Sequence, residues 1–143
     1  ARVIVVGNTR QTLRYMTSDI AQAVNIVASR TFDGTSYTTG SSTLILETPA
    51  VNDNDTLIPD EHDYVLYHFS NNTVRQIVEA GPGSSRGNVD RRIADNVQSF
   101  TLTYNNPTPA SASIVTIDMQ ATKSTRVGDA TATLSNTIFL RNK

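Results

Sequence analysis

Five apolar residues near the start of the chain recur at the spacing of one face of a helix. They follow one another at steps of three, four, four and three: Leu13, Met16, Ile20, Val24 and Val27. Residues three and four apart lie on the same side of an α-helix, so the pattern predicts an amphipathic helix with one buried face. Val3 and Val6 extend the stripe backward, and we expect the helix to occupy residues 1–30. The alternative is a helix that begins at an Asn8 or Thr9 N-cap.

No second stripe of this kind follows, and the rest of the chain has the patterns of strands. Segment 64–69 is apolar or aromatic on both faces, which predicts a strand at the centre of a sheet. Asn71 and Asn72 favour a tight turn into a second strand. Segments 100–104 and 115–121 alternate apolar and polar residues, as strands with one buried face do. We therefore expect an α+β fold, a long N-terminal helix packed on an antiparallel sheet of about five to six strands.

The length of 143 residues and the apolar fraction of 38% suit a single domain with a thin core. Within 1–143 we expect the helix to be followed by a β-rich body over 43–143, with the five stripe residues packing the helix on the sheet. The segments expected to lack strands include a long acidic loop at 49–63, one helical turn at 88–94 and a connecting loop at 123–131.

The balance of charge gives no sign of a nucleic-acid partner. The formal net charge is −1, from 12 basic and 13 acidic residues. The one basic cluster, Arg86, Arg91 and Arg92, is diluted by Asp90 and Asp95 and has no interleaved aromatic residues. The absence of cysteine excludes disulfides, thiolate metal sites and cysteine nucleophiles.

The sequence contains no recognisable catalytic set. Its two histidines, His62 and His68, are six residues apart, and no metal-binding or nucleophile motif surrounds either of them. We interpret His68 as a strand residue near an edge or interface, and His62 as a solvated loop residue. Segment 81–87 lacks the lysine of a phosphate-binding loop, and Pro82 removes an amide donor. We expect no enzymatic activity, no cofactor and no small-molecule substrate.

The acidic segment is where oxygen ligands for a metal ion are most concentrated. Its carboxylates are Asp53, Asp55, Asp60, Glu61 and Asp63. Such oxygens suit calcium, yet the pattern of an EF-hand is not met, because Leu57 stands where a third ligand belongs. We interpret the segment as a solvated loop and predict no metal site. Weak calcium binding by the loop at 52–63 is the alternative.

Three segments carry a resemblance to a known family. In the first, 13–23, a hydrophobic position precedes Asp19-Ile20 and a short polar-to-alanine run. In the second, 63–76, a Tyr-x-x-Tyr strand leads through an Asn-rich turn to a strand that carries an arginine. The third, 115–142, ends in Leu-Arg-Asn. In these features the chain resembles type IV pilin-like proteins and is most similar to the J-type minor pseudopilins of type II secretion and to minor type IV pilins.

The resemblance implies a filament subunit with a membrane anchor. In that family an apolar helix of about 20 residues precedes the soluble part, and we expect Ala1 to lie just after such a segment. The implied partners are other pilin or pseudopilin subunits, with this chain a minor subunit at the tip. The implied location is the inner membrane before assembly and a periplasmic or extracellular filament afterwards. The candidate filament interface consists of Val3, Ile4, Val6 and Arg10.

A second interpretation is an extracellular adhesin or carbohydrate-binding β domain. Aromatic rings form sugar-binding platforms, and four tyrosines are candidates: Tyr37, Tyr64, Tyr67 and Tyr104. There is no tryptophan, however, and most of these tyrosines fall in expected strands, where core or cross-strand packing is their usual role. The filament subunit is therefore the leading hypothesis.

Overall fold

The computed structural model describes residues 2–125 and 127–140, which form one α-helix and ten strands. The helix, α1, is Arg2–Gln22. The strands are β1 (Asn25–Ile26), β2 (Ser29–Phe32), β3 (Thr35–Thr38), β4 (Thr43–Val51), β5 (Leu57–Ser70), β6 (Thr73–Glu79), β7 (Val89–Ala94), β8 (Val97–Tyr104), β9 (Ile114–Thr125) and β10 (Gly128–Phe139). A single 3-10 turn at Pro109–Ser111 lies between β8 and β9 in the part described. The described helix is too polar to cross a membrane.

The strands form three antiparallel sheets. The large sheet has the order β1-β4-β5-β6-β7, the small sheet has the order β10-β9-β8, and β2 pairs with β3 as a hairpin. The middle position of β5 confirms the prediction that 64–69 is a central strand. Asn71 and Asn72 join β5 to β6 with φ angles of 49° and 61°. This left-handed backbone is what a two-residue hairpin turn requires, and Asn tolerates it well.

The predicted fold class, a long helix packed on one sheet of five to six strands, is wrong. The described residues are mostly antiparallel β structure, with ten strands in three sheets and one helix that ends at Gln22, well short of the predicted end. Val24 and Val27 lie beyond the helix. Their N–H groups donate to the carbonyl oxygens of Glu47 and Ile45, each at 2.8 Å. β-branched residues suit strands. The segment at 24–27 therefore hydrogen-bonds to the edge of β4 and does not continue the helix, although its apolar residues keep the helical spacing.

Both faces of the large sheet are covered. One face packs against α1 and the small sheet in the main core, to which β5 contributes Val65 and Tyr67. A smaller cluster lies on the opposite face, beneath the β2–β3 hairpin: Phe32, Ile45, Leu66 and Ile77. Successive residues of a strand point to opposite faces. Val65 and Leu66 therefore enter different clusters, which is why this strand is apolar on both sides.

The helix lies between the two larger sheets. It contacts β9 and β10 of the small sheet and β4 and β7 of the large sheet. Met16 and Ile20 are fully buried there, and Leu13 is half-buried at the margin. The other two residues of the stripe do not belong to this face. Val24 is half-buried after the helix ends, and Val27 packs against the smaller cluster on the far side of the large sheet.

Most of the predicted acidic loop at 49–63 is strand, because β4 and β5 extend into it from both sides. Only a short turn remains between them. Asn52 closes this turn, since its Oδ1 accepts hydrogen bonds from the N–H groups of Asn54 at 2.9 Å and Thr56 at 3.1 Å. Carboxylates and prolines favour loops by composition. Here most of them lie on β4 and β5, where their side chains range from the exposed Asp60 to the fully buried Asp63, so composition is a poor guide.

Two other predicted non-strand segments are also strands. The expected helical turn at 88–94 is β7, which pairs with β6. The expected loop at 123–131 contains the ends of β9 and β10, which pair without interruption along all 12 residues of β10. The strands also begin at Asn25, before the expected β-rich body at 43–143. In each case pairing with a neighbouring strand decides the conformation of a sequence whose own preference is weak.

Replacing Ile20 with alanine should lower the free energy of unfolding by about 2–5 kcal/mol, because the buried side chain leaves a cavity between the sheets. Leu57→Ala is the matched control. Leu57 is 63% exposed, and its truncation should cost less than about 0.5 kcal/mol. Urea denaturation followed by circular dichroism measures both values. A loss below about 1 kcal/mol in Ile20→Ala would contradict the placement of α1 between the sheets.

Candidate functional site

A chain of polar side chains links α1 to the middle of the large sheet. The Tyr67 hydroxyl donates to Asp19 Oδ2 at 2.5 Å, and Gln76 Nε2 donates to the same hydroxyl at 2.9 Å. Arg91 Nε donates to Gln76 Oε1 at 2.9 Å. The Arg91 guanidinium also lies over the Tyr15 ring on the helix, 4.9 Å from its centre. We call these five residues the helix clamp.

The positions of the clamp residues follow from strand register. Tyr67 on β5 and Gln76 on β6 are paired partners, and Gln76 pairs in turn with Arg91 on β7. The three side chains therefore share one face of the sheet, the face that meets the helix. Tyr67 is fully buried and Gln76 is 5% exposed. A buried hydroxyl or amide without a hydrogen-bond partner lowers the stability of the folded state. Tyr67 and Gln76 therefore each depend on a neighbouring side chain of the clamp for a partner.

Burial sets the electrostatics of the clamp. Burial raises the pKa of the Asp19 carboxyl, and the hydrogen bond from Tyr67 and the charges of Arg86 and Arg91 offset only part of that shift. Burial, the charge of Asp19 and their hydrogen bond raise the pKa of Tyr67 well above its ordinary value. Tyr67 therefore remains a hydrogen-bond donor at neutral pH. The ionised form of Asp19, by contrast, is disfavoured by folding.

A second polar cluster holds the 80–88 loop against the end of the helix. The fully buried carboxylate of Asp63 accepts hydrogen bonds from Gly81 N–H at 2.6 Å, Ser84 Oγ at 2.9 Å and Arg86 at 3.2 Å. The other terminal nitrogen of Arg86 donates to Gln22 Oε1 at 3.2 Å, at the last residue of α1. A cation near the C-terminus of a helix is favoured by the helix dipole.

Gly81 is required for this loop to approach β5. A Cβ atom at position 81 would lie 2.6 Å from the backbone oxygen of His62, a separation that real contacts do not reach. Any side chain there would push the loop away from the strand. The hydrogen bond from the Gly81 amide to Asp63 would lengthen with it.

The carboxylates of the acidic segment do not converge on one point. Asp53 and Asp55 are exposed in the turn, while Asp60 and Glu61 lie on β5. Asp63 is buried and already accepts hydrogen bonds from the 80–88 loop. Among the described residues, no three metal-ligating side chains form a group that could hold an ion. The calcium alternative therefore gains no support from the geometry.

The surroundings of the two histidines do not indicate a catalytic role. His62 lines a shallow cleft of about 520 Å³ with Arg30, Asp60, Glu61, Tyr64 and Glu79. His68 Nδ1 is 2.7 Å from Thr43 Oγ1, and burial lowers the pKa of His68. A hydroxyl beside an imidazole is the start of a nucleophilic pair. Thr43 is only 6% exposed, however, and it lies on a paired strand within the sheet, which is a poor position for a nucleophile.

The three arginines of the basic cluster have separate roles. Arg86 anchors the 80–88 loop, and Arg91 belongs to the helix clamp. Arg92 forms an exposed ion pair with Asp95 at 2.9 Å. They therefore present no shared basic surface of the kind that binds a nucleic-acid backbone.

None of the four candidate tyrosines forms an open platform. Tyr67 is buried, and the Tyr104 hydroxyl donates to the backbone oxygen of Gly40 at 2.8 Å. Tyr37 packs edge-on against Phe32 and His68. The Tyr64 ring is covered by the Arg30 guanidinium, 3.7 Å from the ring centre. A sugar would have to displace these contacts in order to stack.

The candidate filament interface lies on the first half of α1. The backbones of Val3, Ile4 and Val6 are helical, but their side chains fall outside the described ones. Arg10 is exposed. It lines a groove of about 530 Å³ between α1 and β10. Other residues of this groove are Leu13, Arg14, Thr17, Leu134 and Asn136.

The helix clamp was not identified from the sequence. One signal was present, since Asp19 immediately precedes the buried Ile20 and lies three residues after the buried Met16. An acidic residue at the border of a buried helix face needs a partner inside the protein. The partner could not be named, because Tyr67 is 48 residues away and reaches Asp19 only through the fold.

No protein-family model matches this chain, and a search of curated proteins finds no significant similarity. The candidate site therefore depends on the geometry of the chain itself.

The raised pKa of Asp19 predicts a pH dependence that Asp19→Asn should remove. The folded protein binds the Asp19 proton more tightly than the unfolded chain does. This stabilisation is complete below the unfolded pKa of about 4 and is lost as the pH rises through the folded pKa. The free energy of unfolding of the wild type minus that of Asp19→Asn should therefore decrease from about pH 4 upward, as measured by urea denaturation.

Tyr67→Phe provides a matched test of the same assignment. It removes the hydrogen bond that lowers the pKa of Asp19 and leaves the burial that raises it. The same difference in free energy of unfolding, with and without Asp19→Asn, can be measured in the Tyr67→Phe background. There it should keep decreasing to a higher pH than in the wild type, because the pKa of Asp19 is raised further. A wild-type minus Asp19→Asn difference that stays constant or grows with pH would show that burial does not control this carboxyl.

Proposed function

We propose that the chain is a structural, non-enzymatic subunit of a cell-envelope filament, either a type IV pilus or the pseudopilus of type II secretion. We place it among the minor subunits at the filament tip. The observation that carries the proposal is the firm attachment of α1 to the β body by the helix clamp and by the buried Met16 and Ile20. The resemblance of segments 13–23, 63–76 and 115–142 to pilin-like proteins supports it.

The attachment matters because of how such a subunit carries load. Its helix would be held among the helices of neighbouring subunits, and its β body would be displayed outside. Any force between the two then passes through the junction at residues 12–22. That junction combines apolar burial with a buried hydrogen-bond chain, which resists both sliding and separation. The proposal does not depend on the single-sheet architecture expected from the sequence.

The proposed partners are other pilin or pseudopilin subunits, with no nucleic acid and no small-molecule substrate. The natural polypeptide would carry an apolar anchor of about 20 residues before residue 1. It would stay in the inner membrane until assembly and then in a periplasmic or extracellular filament. The scattered arginines and the covered tyrosines are consistent with this assignment.

The proposal is tested with the full-length polypeptide in the bacterium that encodes it. Val3→Asp, Ile4→Asp and Val6→Asp should each reduce the amount of protein in sheared filaments about tenfold or more, because an unpaired charge between packed helices costs several kcal/mol. Thr101→Asp is the matched control, since Thr101 is exposed on β8. Immunoblots of the filament and membrane fractions measure incorporation and expression separately.

Two results would overturn the proposal. One is incorporation of the three aspartate variants at the level of Thr101→Asp. The other is a gene whose product has no apolar segment before this chain. Because membrane levels are measured alongside filament levels, a variant that is merely degraded is recognised by its loss from both fractions.

A further inference from the structure

The last strand leaves one long edge of the small sheet unpaired. β10 pairs only with β9 among the residues described, and the pairing is continuous over its 12 residues. Natural edge strands are usually protected by lysine, proline or a bulge. β10 contains no lysine and no proline, and its register has no shift. Its outer edge is therefore available to another strand.

Two hydrogen bonds identify the residues that face this outer edge. The N–H of Leu140 donates to the Ser113 oxygen, toward β9, whereas the N–H of Thr137 donates to the Asn136 side chain at 3.0 Å. Backbone N–H groups alternate direction along a strand, so odd-numbered residues of β10 face outward. Asn136 closes the edge at Thr137. The next outward N–H groups toward the start of the strand belong to Ser135 and Thr133.

The groove between α1 and β10 borders this edge. Most of its surface is apolar although most of its residues are polar, and Leu13 from the helix and Leu134 from the strand are its two apolar residues. A hydrogen bond from Asn136 Nδ2 to Thr17 Oγ1, at 3.0 Å, spans it. Leu134 and Asn136 lie on the face of β10 that meets the helix. A strand added beside β10 would therefore direct every second side chain into this groove.

The groove is also positively charged. Arg10 and Arg14 line it and are exposed, and neither forms an ion pair with a described carboxylate. No described residue of the lining is acidic. An occupant with a carboxylate near these guanidinium groups would gain attraction and a favoured rate of encounter.

We propose that the outer edge of β10 and this groove form a β-augmentation site for an extended segment of a different polypeptide. The segment would have apolar residues at every second position and an aspartate or glutamate at one end. A second copy of the chain fits less well. Antiparallel pairing of two β10 edges would place both helices on the same face of the joined sheet and bring four arginines together. This site does not require that the chain belong to a filament.

The test is a pooled library of peptides of about ten residues, the length of a strand, with apolar residues alternating with variable ones. Selection on the folded protein should enrich peptides with an acidic end. Amide hydrogen exchange of the wild-type protein with a selected peptide should slow at Thr133 and Ser135. Thr133→Pro removes an outward N–H and should abolish binding. Thr133→Val, which keeps that N–H, should bind as the wild type does.

The charge requirement has its own pair of variants. Arg14→Gln should weaken a selected acidic peptide about twofold to fivefold, the range for one exposed ion pair. Arg92→Gln, on the exposed surface of β7, should leave the affinity unchanged. Thermal unfolding checks that each variant is folded. If Thr133→Pro does not fold, the hydrogen-exchange map of the wild type with bound peptide still tests the location of the site.

Four outcomes would overturn the inference. They are a library without binders, selected peptides that bind Thr133→Pro as tightly as Thr133→Val, selection without preference for acidic ends, and exchange protection away from the β10 edge. A concentration-dependent dimer that Thr133→Pro abolishes would instead assign the edge to a second copy of this chain. Sedimentation of the wild type and of both Thr133 variants distinguishes that case.

Discussion

The hydrogen bond between Tyr67 and Asp19 is the contact on which the arrangement of the helix and sheets depends. It joins the fully buried Tyr67, on the middle strand of the large sheet, to the half-buried Asp19 on the helix. Because the Tyr67 hydroxyl is buried, it must find its hydrogen-bond partners within the protein. Gln76 and Arg91 meet that need through strand register. Burial at this place raises the pKa of Asp19, so ionisation of this carboxyl opposes folding.

The large sheet explains why the helix ends early. Its first face is occupied by α1, and its second face needs a cover of its own. The chain supplies that cover by leaving the helix at Gln22, adding β1 to the edge of β4, and passing to the β2–β3 hairpin on the other side. Val27 and Phe32 then bury the second face. A helix continued to Arg30 would leave Leu66 and Ile77 exposed.

How far the sequence predicts the fold depends on the range of the deciding contact. The central strand at 64–69 and its Asn71-Asn72 turn could be predicted, because alternation and turn chemistry are local. The end of the helix could not, because Val24 keeps the helical spacing and only the edge of β4 decides otherwise. The helix clamp could not be predicted from the sequence for the same reason, since strand pairing brings its members together.

The order of synthesis has a consequence for the helix. Its contacts join residues far apart in the chain: Thr17 bonds to Asn136 across 119 positions, and Gln22 bonds to Arg86 across 64. The helix is made before the strands that cover it, and of the described strands β10, which covers one of its sides, is made last. Until β10 is made, the side chains of Met16 and Ile20 lack part of the surface against which they pack in the folded protein. Folding that waits for distant segments is slow and exposes apolar surface. The newly made protein therefore has a long interval in which a chaperone or a membrane surface can hold α1.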